Sequence, residues 1–447
     1  MIRLLSYLED KHLMELVKGS VGALIVKVIG IGLSYAFMYL AIQWYGAYVL
    51  GIYSLSVVAL RIALLYGKVG LDNAMVRFVA AYAAKDRREL AKQVYFRGIG
   101  AAISFSLGIS VLLFFGAPVL AHHVFKNPHL ITSLRIIAFV ILPGTLLHLN
   151  AAVLRGLKRI KSYSFLLNAA QFLLGCVVLL LGKSLLEKTT APVTAYAIAT
   201  AAAAFISFGF GGMGESAKKK QSQREEAIRT WPLLKVAFPM LLTGSYSFLL
   251  DQTGTIALGV FRSEVDVGIF TVVLKVAGFL TFTLHSINSI AASKFSECYS
   301  TGDMEGFRQI TRYSTRLISW TTVPIGLVFL VFPRPIIGFF GEEIKSGTTA
   351  LIILVVGYFV NALSGSVGTI LNMTGHQVVY QNIVLAAALV NITLNILLIP
   401  RLGINGAAIA NTVSMMIWNI SSVIYIYKKF NILTLYIPFR DRLKKEV

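Results

Sequence analysis

Residues 18–67 read KGSVGALIVKVIGIGLSYAFMYLAIQWYGAYVLGIYSLSVVALRIALLYG, with Lys18, Lys27 and Arg61 as the only charged side chains. A bilayer core about 30 Å thick takes roughly 20 residues of helix, so the stretch crosses twice, as residues 18–41 and 47–67. Lys27 falls in the middle of the first crossing and Arg61 in the inner half of the second. A cation at that depth costs about 2.5–3.5 kcal/mol on insertion scales and is rare unless it lines a wet cavity. Lys275 is a third such cation, and Asp251 is the only comparably deep acid. Three bases against one acid point to a passage that receives an anion.

The rest of the chain continues the pattern. Of 447 residues 56% are hydrophobic and 14% charged, and the mean hydropathy is +0.74. That is too little charge to cover a soluble surface, so the chain reads as a polytopic membrane protein. Twelve crossings are expected, near 18–41, 47–67, 97–120, 130–153, 162–182, 191–212, 233–258, 267–291, 313–333, 348–371, 379–400 and 404–427. A cytoplasmic N-terminus places most of the 41 Lys and Arg on the inner side, in Lys85 to Arg88, Arg155 to Lys161, Lys218 to Lys220 and the tail from Lys428 to Lys445. This is the positive-inside asymmetry. It accounts for the net charge of +21 without nucleic acid, leaving attraction to anionic lipids as a secondary effect. Both termini are then cytoplasmic, and residues 19–40 read as an uncleaved first crossing. Cys176 and Cys298 form neither a disulfide framework nor a metal-ligand spacing.

An internal repeat divides the crossings six and six. Gly51-Ile52-Tyr53 recurs as Gly268-Ile269-Phe270, an offset of 217. At the same offset Arg77-Phe78, Tyr82 and Asp86 recur as Lys294-Phe295, Tyr299 and Asp303, and Leu154 and Tyr163 as Leu371 and Tyr380. The expected organisation is an N-terminal six-helix lobe (1–213), a basic cytoplasmic linker (214–230), and a C-terminal six-helix lobe with a basic cytoplasmic tail (231–447). Six crossings per lobe make the repeat parallel, related by an axis along the membrane normal.

No catalytic constellation emerges: HExxH, Walker and GxSxG patterns are all missing from the sequence. The chain therefore reads as a non-enzyme with no cofactor and no metal site. The scattered glycines read as helix-packing positions and Pro143, Pro239 and Pro324 as kinks. Snorkelling accounts for Arg61, about 9 Å from its crossing's inner end, as well as a cavity role does; Lys27 and Lys275 are deeper and fit a cavity better. Asp251 either neutralises a neighbouring lysine or binds a coupling proton or sodium ion. Arg77 and Lys294 are interfacial bases taken singly; as a repeat-related pair they place one cation on each lobe, flanking the inner mouth. Tyr35 and Tyr39, and Asn391 and Asn395, are i, i+4 pairs suited to interhelical hydrogen bonds or to substrate. His148 and His285 read as hydrogen-bonded helix residues.

The C-terminal third contains Leu371-Asn372-Met373-Thr374-Gly375-His376, Asn391-Ile392-Thr393-Leu394-Asn395, Leu398-Ile399-Pro400 and Gly403-Ile404-Asn405-Gly406-Ala407-Ala408-Ile409-Ala410. It resembles the polysaccharide transporters, of the O-antigen flippase type, within the multidrug/oligosaccharidyl-lipid/polysaccharide (MOP) superfamily. Asp251 through Asp303, and Gly70-Leu71-Asp72 to Arg77-Phe78, resemble the corresponding parts of that family. The resemblance implies an all-α integral membrane fold, two pseudo-symmetric six-helix lobes in a V, and alternating access through a cavity lined by cations. Its implied cargo is a polyprenyl-diphosphate-linked oligosaccharide moved from the inner to the outer leaflet of the cytoplasmic membrane, with polymerase or assembly proteins as further partners. Lys27, Arg61 and Lys275 match the cavity cations of the related peptidoglycan-lipid flippases by helix and depth. A cation-coupled drug antiporter of the multidrug branch is the alternative; exporting cations would favour acids over the bases found here. A scaffold for polymer assembly would leave the deep cations unexplained, and an enzyme on lipid-linked sugars would need an acidic metal or catalytic cluster that the sequence lacks.

Overall fold

With no water in the hydrocarbon to satisfy a peptide group, a spanning segment must bond its own backbone, which leaves helices and closed barrels. The computed structural model describes residues 11–84, 87–210 and 230–435, and within these the chain is helical with no β-strand. Lys85 and Asp86, the 214–229 part of the expected linker, and the tail beyond residue 435 lie outside the described residues.

Helix α1 (Lys11–Lys68) bends at Gly46, where φ is 80°. It is followed by α2 (Leu71–Ala84), α3 (Arg88–Val119), α4 (Leu130–Gly156), α5 (Ile160–Gly182) and α6 (Ala191–Phe210). Then come α7 (Thr230–Phe261), α8 (Glu264–Gly278), α9 (Phe282–Ser300), α10 (Met304–Val331), α11 (Thr348–Ser364), α12 (Val367–Met373), α13 (Gln377–Leu402) and α14 (Ile404–Phe430). Among the described residues ten helices are long and apolar enough to cross a membrane. The first of them, Ile25–Lys68, has 44 residues and makes two crossings about Gly46. With the shorter apolar helix Phe248–Phe261, twelve crossings result. This is a multi-pass, all-α membrane protein.

The repeat is visible in the elements. A shift of 217 carries Leu130–Gly156 onto 347–373, which is α11 and α12 together, interrupted at Gly365. The same shift carries the start of α5, Ile160, onto Gln377, the start of α13. Packing repeats too: α4 against α3 and α6 in the first half corresponds to α11 against α10 and α14 in the second, and α5 against α6 to α13 against α14. Polar caps mark two starts in the second half. Ser263 Oγ accepts the Asp266 N–H at 3.4 Å and Asp303 Oδ1 accepts the Gly306 N–H at 2.8 Å, satisfying amides that the first helical turn leaves open.

By mutual contact the chain forms two compact units, Met1–Ser245 and Tyr246–Val447. The division falls inside α7 because Leu233 and Ala237, near its start, are buried in a cluster with Leu71, Met75 and Val79 of α2 and Leu149 of α4. The second unit has its own core, in which Phe295 and Phe307 pack edge to face at 5.7 Å beside Phe430.

The turn between α1 and α2 allows little substitution. Gly70 has φ 74°, and a Cβ there would overlap the Ala237 carbonyl oxygen. Gly375 has φ 79° with open space where its Cβ would be. A left-handed conformation costs a non-glycine residue about 1–2 kcal/mol, so Gly375→Ala should lose that much and Gly70→Ala more. Unfolding midpoints of the two purified variants in detergent check the ranking; equal losses would show that the α7 contact carries no weight.

Candidate functional site

In the first unit the apolar spacing of α1 turns Phe37 and Tyr53 toward α5 and α6. Phe37 and Tyr53 meet at 5.4 Å, Phe37 and Phe172 at 6.2 Å, Tyr53 and Tyr196 at 5.8 Å, and Phe172 and Tyr196 at 6.1 Å between ring centroids. Arg61, two turns beyond Tyr53 on α1, is itself exposed, yet its charge acts on Tyr53, Tyr196 and His148. The guanidinium stays charged at any accessible pH. It therefore stands as a fixed, exposed positive charge whose field reaches a buried aromatic cluster inside one unit, a setting able to take an anionic group.

Below Arg61 the helix ends at Lys68, whose Nζ lies 2.6 Å from Asp72 Oδ2 on the first turn of α2. Both side chains are mostly buried. Burial alone would raise the Asp72 carboxyl. The Lys68 ammonium beside it wins, aided by the nearby His148 and by the Asn73 N–H, and holds Asp72 below the usual carboxylate range. His148 lies near the same pair, its Nδ1 donating to the Gly144 carbonyl at 2.8 Å. Arg61, Lys68, Asp72 and His148 thus form one ionisable group in the first unit. Of these the sequence singled out Arg61 for a cavity and read His148 as hydrogen-bonded, which it is. The i, i+4 spacing of Lys68 and Asp72 was a usable signal for the pair, whereas its approach to His148 joins residues about 80 positions apart.

The remaining sequence-derived candidates are placed as follows. Lys27 is exposed on α1 among the exposed Ile25, Val28 and Ile29, and Arg77 is exposed on α2. In the second unit Lys275 is half-buried in the last turn of α8, immediately before a short 3-10 break at Phe279–Thr281. Lys294 is ion-paired with Glu297 at 2.7 Å. Asp251 is exposed on α7 and its charge reaches Tyr380 of α13. The Asn391 and Asn395 pair is buried and bonded internally: Asn395 Nδ2 donates to Asn391 Oδ1 at 2.9 Å, and Asn391 Nδ2 to the Ala410 carbonyl at 3.2 Å. Asn395 Oδ1 is left without a partner. Among the described residues no group of three or more His, Cys, Asp or Glu side chains is arranged to hold a metal.

This all-helical, multi-pass fold is shared with solved proteins of the MOP superfamily. The chain superposes on a multidrug-resistance MATE-family transporter of the MOP superfamily in its inward-facing conformation at 15% identity, covering 91% of this chain and 98% of that one, with a TM-score of 0.69. It also matches the lipid II flippase MurJ in an inward closed conformation (15% identity, 93% and 89% covered, TM-score 0.71). A third match is a MOP-superfamily transporter from Pyrococcus furiosus, described by the reverse polarity of its binding pocket (14%, 94% and 97%, TM-score 0.65). These likenesses establish the fold. No curated protein matches the sequence. The sequence profile of the family described as polysaccharide biosynthesis protein matches residues 48–344, and the chain belongs to that family.

The Lys68–Asp72 pair gives a pH-dependent contribution to stability. A carboxyl whose folded value is depressed stabilises the fold above its ordinary value near 4, and that contribution is lost as pH falls through the lower folded value. Asp72→Asn should cost about 1–3 kcal/mol at pH 7, as loss of a charged hydrogen bond does. The gap to the unmodified protein should hold at pH 5 and shrink at pH 3. Thermal unfolding at the three pH values checks this, and a gap independent of pH would remove the charge from the explanation.

Proposed function

We propose that this protein is a flippase that carries a polyprenyl-diphosphate-linked oligosaccharide, such as the repeat unit of O-antigen or another surface polysaccharide, from the inner to the outer leaflet of the cytoplasmic membrane. The observation that carries the reading is Arg61, a permanent cation on a membrane-crossing helix whose field falls on Tyr53 and Tyr196. A lipid diphosphate brings about two negative charges into the membrane and needs guanidinium or ammonium groups to receive it. The family of polysaccharide biosynthesis proteins fits such a cargo, and a structural relative of the same fold is a lipid II flippase. On this reading Lys27, Arg61 and Lys275 receive the diphosphate, Arg77 and Lys294 stand nearer the inner entrance, and Asp251 binds the coupling proton or sodium ion. Polysaccharide polymerase or assembly proteins would take the cargo on the outer side. Export of cationic drugs accords less well with deep bases outnumbering the deep acid.

Replacing Lys27 or Lys275 with alanine should reduce surface-polysaccharide export several-fold and the double change should reduce it further, with the protein still present in the membrane. Lipid-linked glycan retained on the inner leaflet is the direct readout. Normal export by the single and double variants would sink the cation assignment. For Asp251, transport by Asp251→Asn in vesicles should lose its dependence on an imposed proton or sodium gradient. Dependence equal to that of the unmodified protein would leave the carboxylate a structural role.

A further inference from the structure

Helix α10 carries Arg308, Arg312 and Arg316, one turn apart on one side. The opposite side packs inward through the buried Thr311, Ser314, Thr315, Ile318, Ser319, Thr322 and Gly326, small or hydroxylated residues that allow close helix approach. Arg312 and Arg316 are exposed together with Tyr313, Leu317 and Trp320. Further along the helix Leu327, Val328 and Val331 are exposed, 50–66% of their surface open. An exposed side this apolar on a helix long enough to cross the membrane is suited to contact lipid.

Depth follows from helix rise. From Arg312 to Val331 is about 30 Å at 1.5 Å per residue, one hydrocarbon thickness. Arg312 therefore lies at the boundary between headgroups and hydrocarbon, and Arg316 about 6 Å inside it. None of the three arginines is ion-paired among the described residues. The nearby acids are engaged elsewhere: Asp303 caps α10, Glu305 accepts from Gln309 at 3.5 Å, and Glu297 pairs with Lys294. Arg308 Nε is buried with no hydrogen-bond partner. Arg316 lies over the Trp320 ring at 4.8 Å, which braces the guanidinium at the level where tryptophan prefers to sit. Snorkelling would carry these charges toward water but leaves the buried Arg308 N–H unsatisfied. A phosphate drawn to the exposed Arg312 and Arg316 forks supplies the missing counter-charge, with the Arg308 charge one turn away adding to the attraction.

We propose that Arg308, Arg312 and Arg316, with Trp320 beside them, form a binding site for the phosphodiester headgroup of an anionic glycerophospholipid in the leaflet at the N-terminal end of α10. On the sequence-derived orientation that is the cytoplasmic leaflet. The site belongs to the second unit alone. At the repeat offset the three arginines correspond to Ala91, Tyr95 and Ile99, so the charges are not a by-product of the duplication. The site is separate from the cations assigned to cargo, so it can fail or succeed independently of the proposed transport.

The test titrates the full-length protein, purified in neutral detergent, with phosphatidylglycerol or with phosphatidylcholine and counts bound lipids by native mass spectrometry. The unmodified protein should retain phosphatidylglycerol over phosphatidylcholine. The double variant Arg312→Gln, Arg316→Gln should bind phosphatidylglycerol at least fivefold more weakly. Loss of the same charge at the end of α14, in Lys428→Gln, Lys429→Gln, should change binding less than twofold. Phosphatidylglycerol should also raise the unfolding midpoint of the unmodified protein and of Arg312→Lys, Arg316→Lys, but not that of the glutamine variant, which separates lost binding from misfolding. Equal retention by the glutamine variant, equal retention of the two lipids, or equal losses in the α10 and α14 variants would each overturn the site, the last by reducing it to bulk charge.

Discussion

Hydrogen-bond saturation is the constraint on which the rest of this molecule depends. In hydrocarbon each peptide group must be satisfied by its own segment, and many hydroxyl side chains are satisfied in the same way. Ser54 donates to the Leu50 carbonyl, Ser56 to Ile52, Ser106 to Ala102, Thr311 to Phe307 and Ser414 to Ala410, all four residues back on the same helix at 2.6–2.8 Å. Hydroxyls bonded in this way let helices carry polar residues through the membrane without needing an exact partner on a neighbour. The interruptions are then informative. The bend at Gly46, the turn at Gly70 and the break at Gly365 are where the ladder is given up, and Lys68 and Asp72 flank the second of them.

Charge is handled differently because a guanidinium cannot shed its proton. Arg61 is left exposed beside Tyr53 and Tyr196, whereas Lys68 is neutralised by Asp72 and Lys294 by Glu297. The distinction separates cations that hold the fold from those available to a ligand. It also refines a bare count of deep bases: position in a hydropathy profile says that a charge is costly, and only its neighbours say whether the cost has been met internally.

The crossings, their number and their duplication were legible because each is a local property: apolar length for the helices, and a single offset of 217 for the repeat, which the element boundaries at 130 and 347 and at 160 and 377 reproduce. Lys27, Arg61, Lys275 and Asp251 were legible for the same reason, since a charge within an apolar run needs no partner to be noticed. The paired state of Lys294 was within reach of an i, i+3 reading with Glu297. The grouping of Lys68 and Asp72 with His148, and the aromatic cluster of Phe37, Tyr53, Phe172 and Tyr196, were not legible, because they join α1, α4, α5 and α6 across intervals that no pattern spans.

The sequence by itself therefore determined that this is a duplicated, all-helical, multi-pass membrane protein with cations at membrane depth. Hydrophobic length and periodicity are written along the chain, and the bilayer reads them directly. The tertiary structure decided which face of each helix is buried, that α7 begins packed in the first unit, and which charges are matched. Those outcomes depend on side-chain volumes meeting across helices, as where Gly70 admits the backbone of Ala237, and such meetings are set by packing between distant segments.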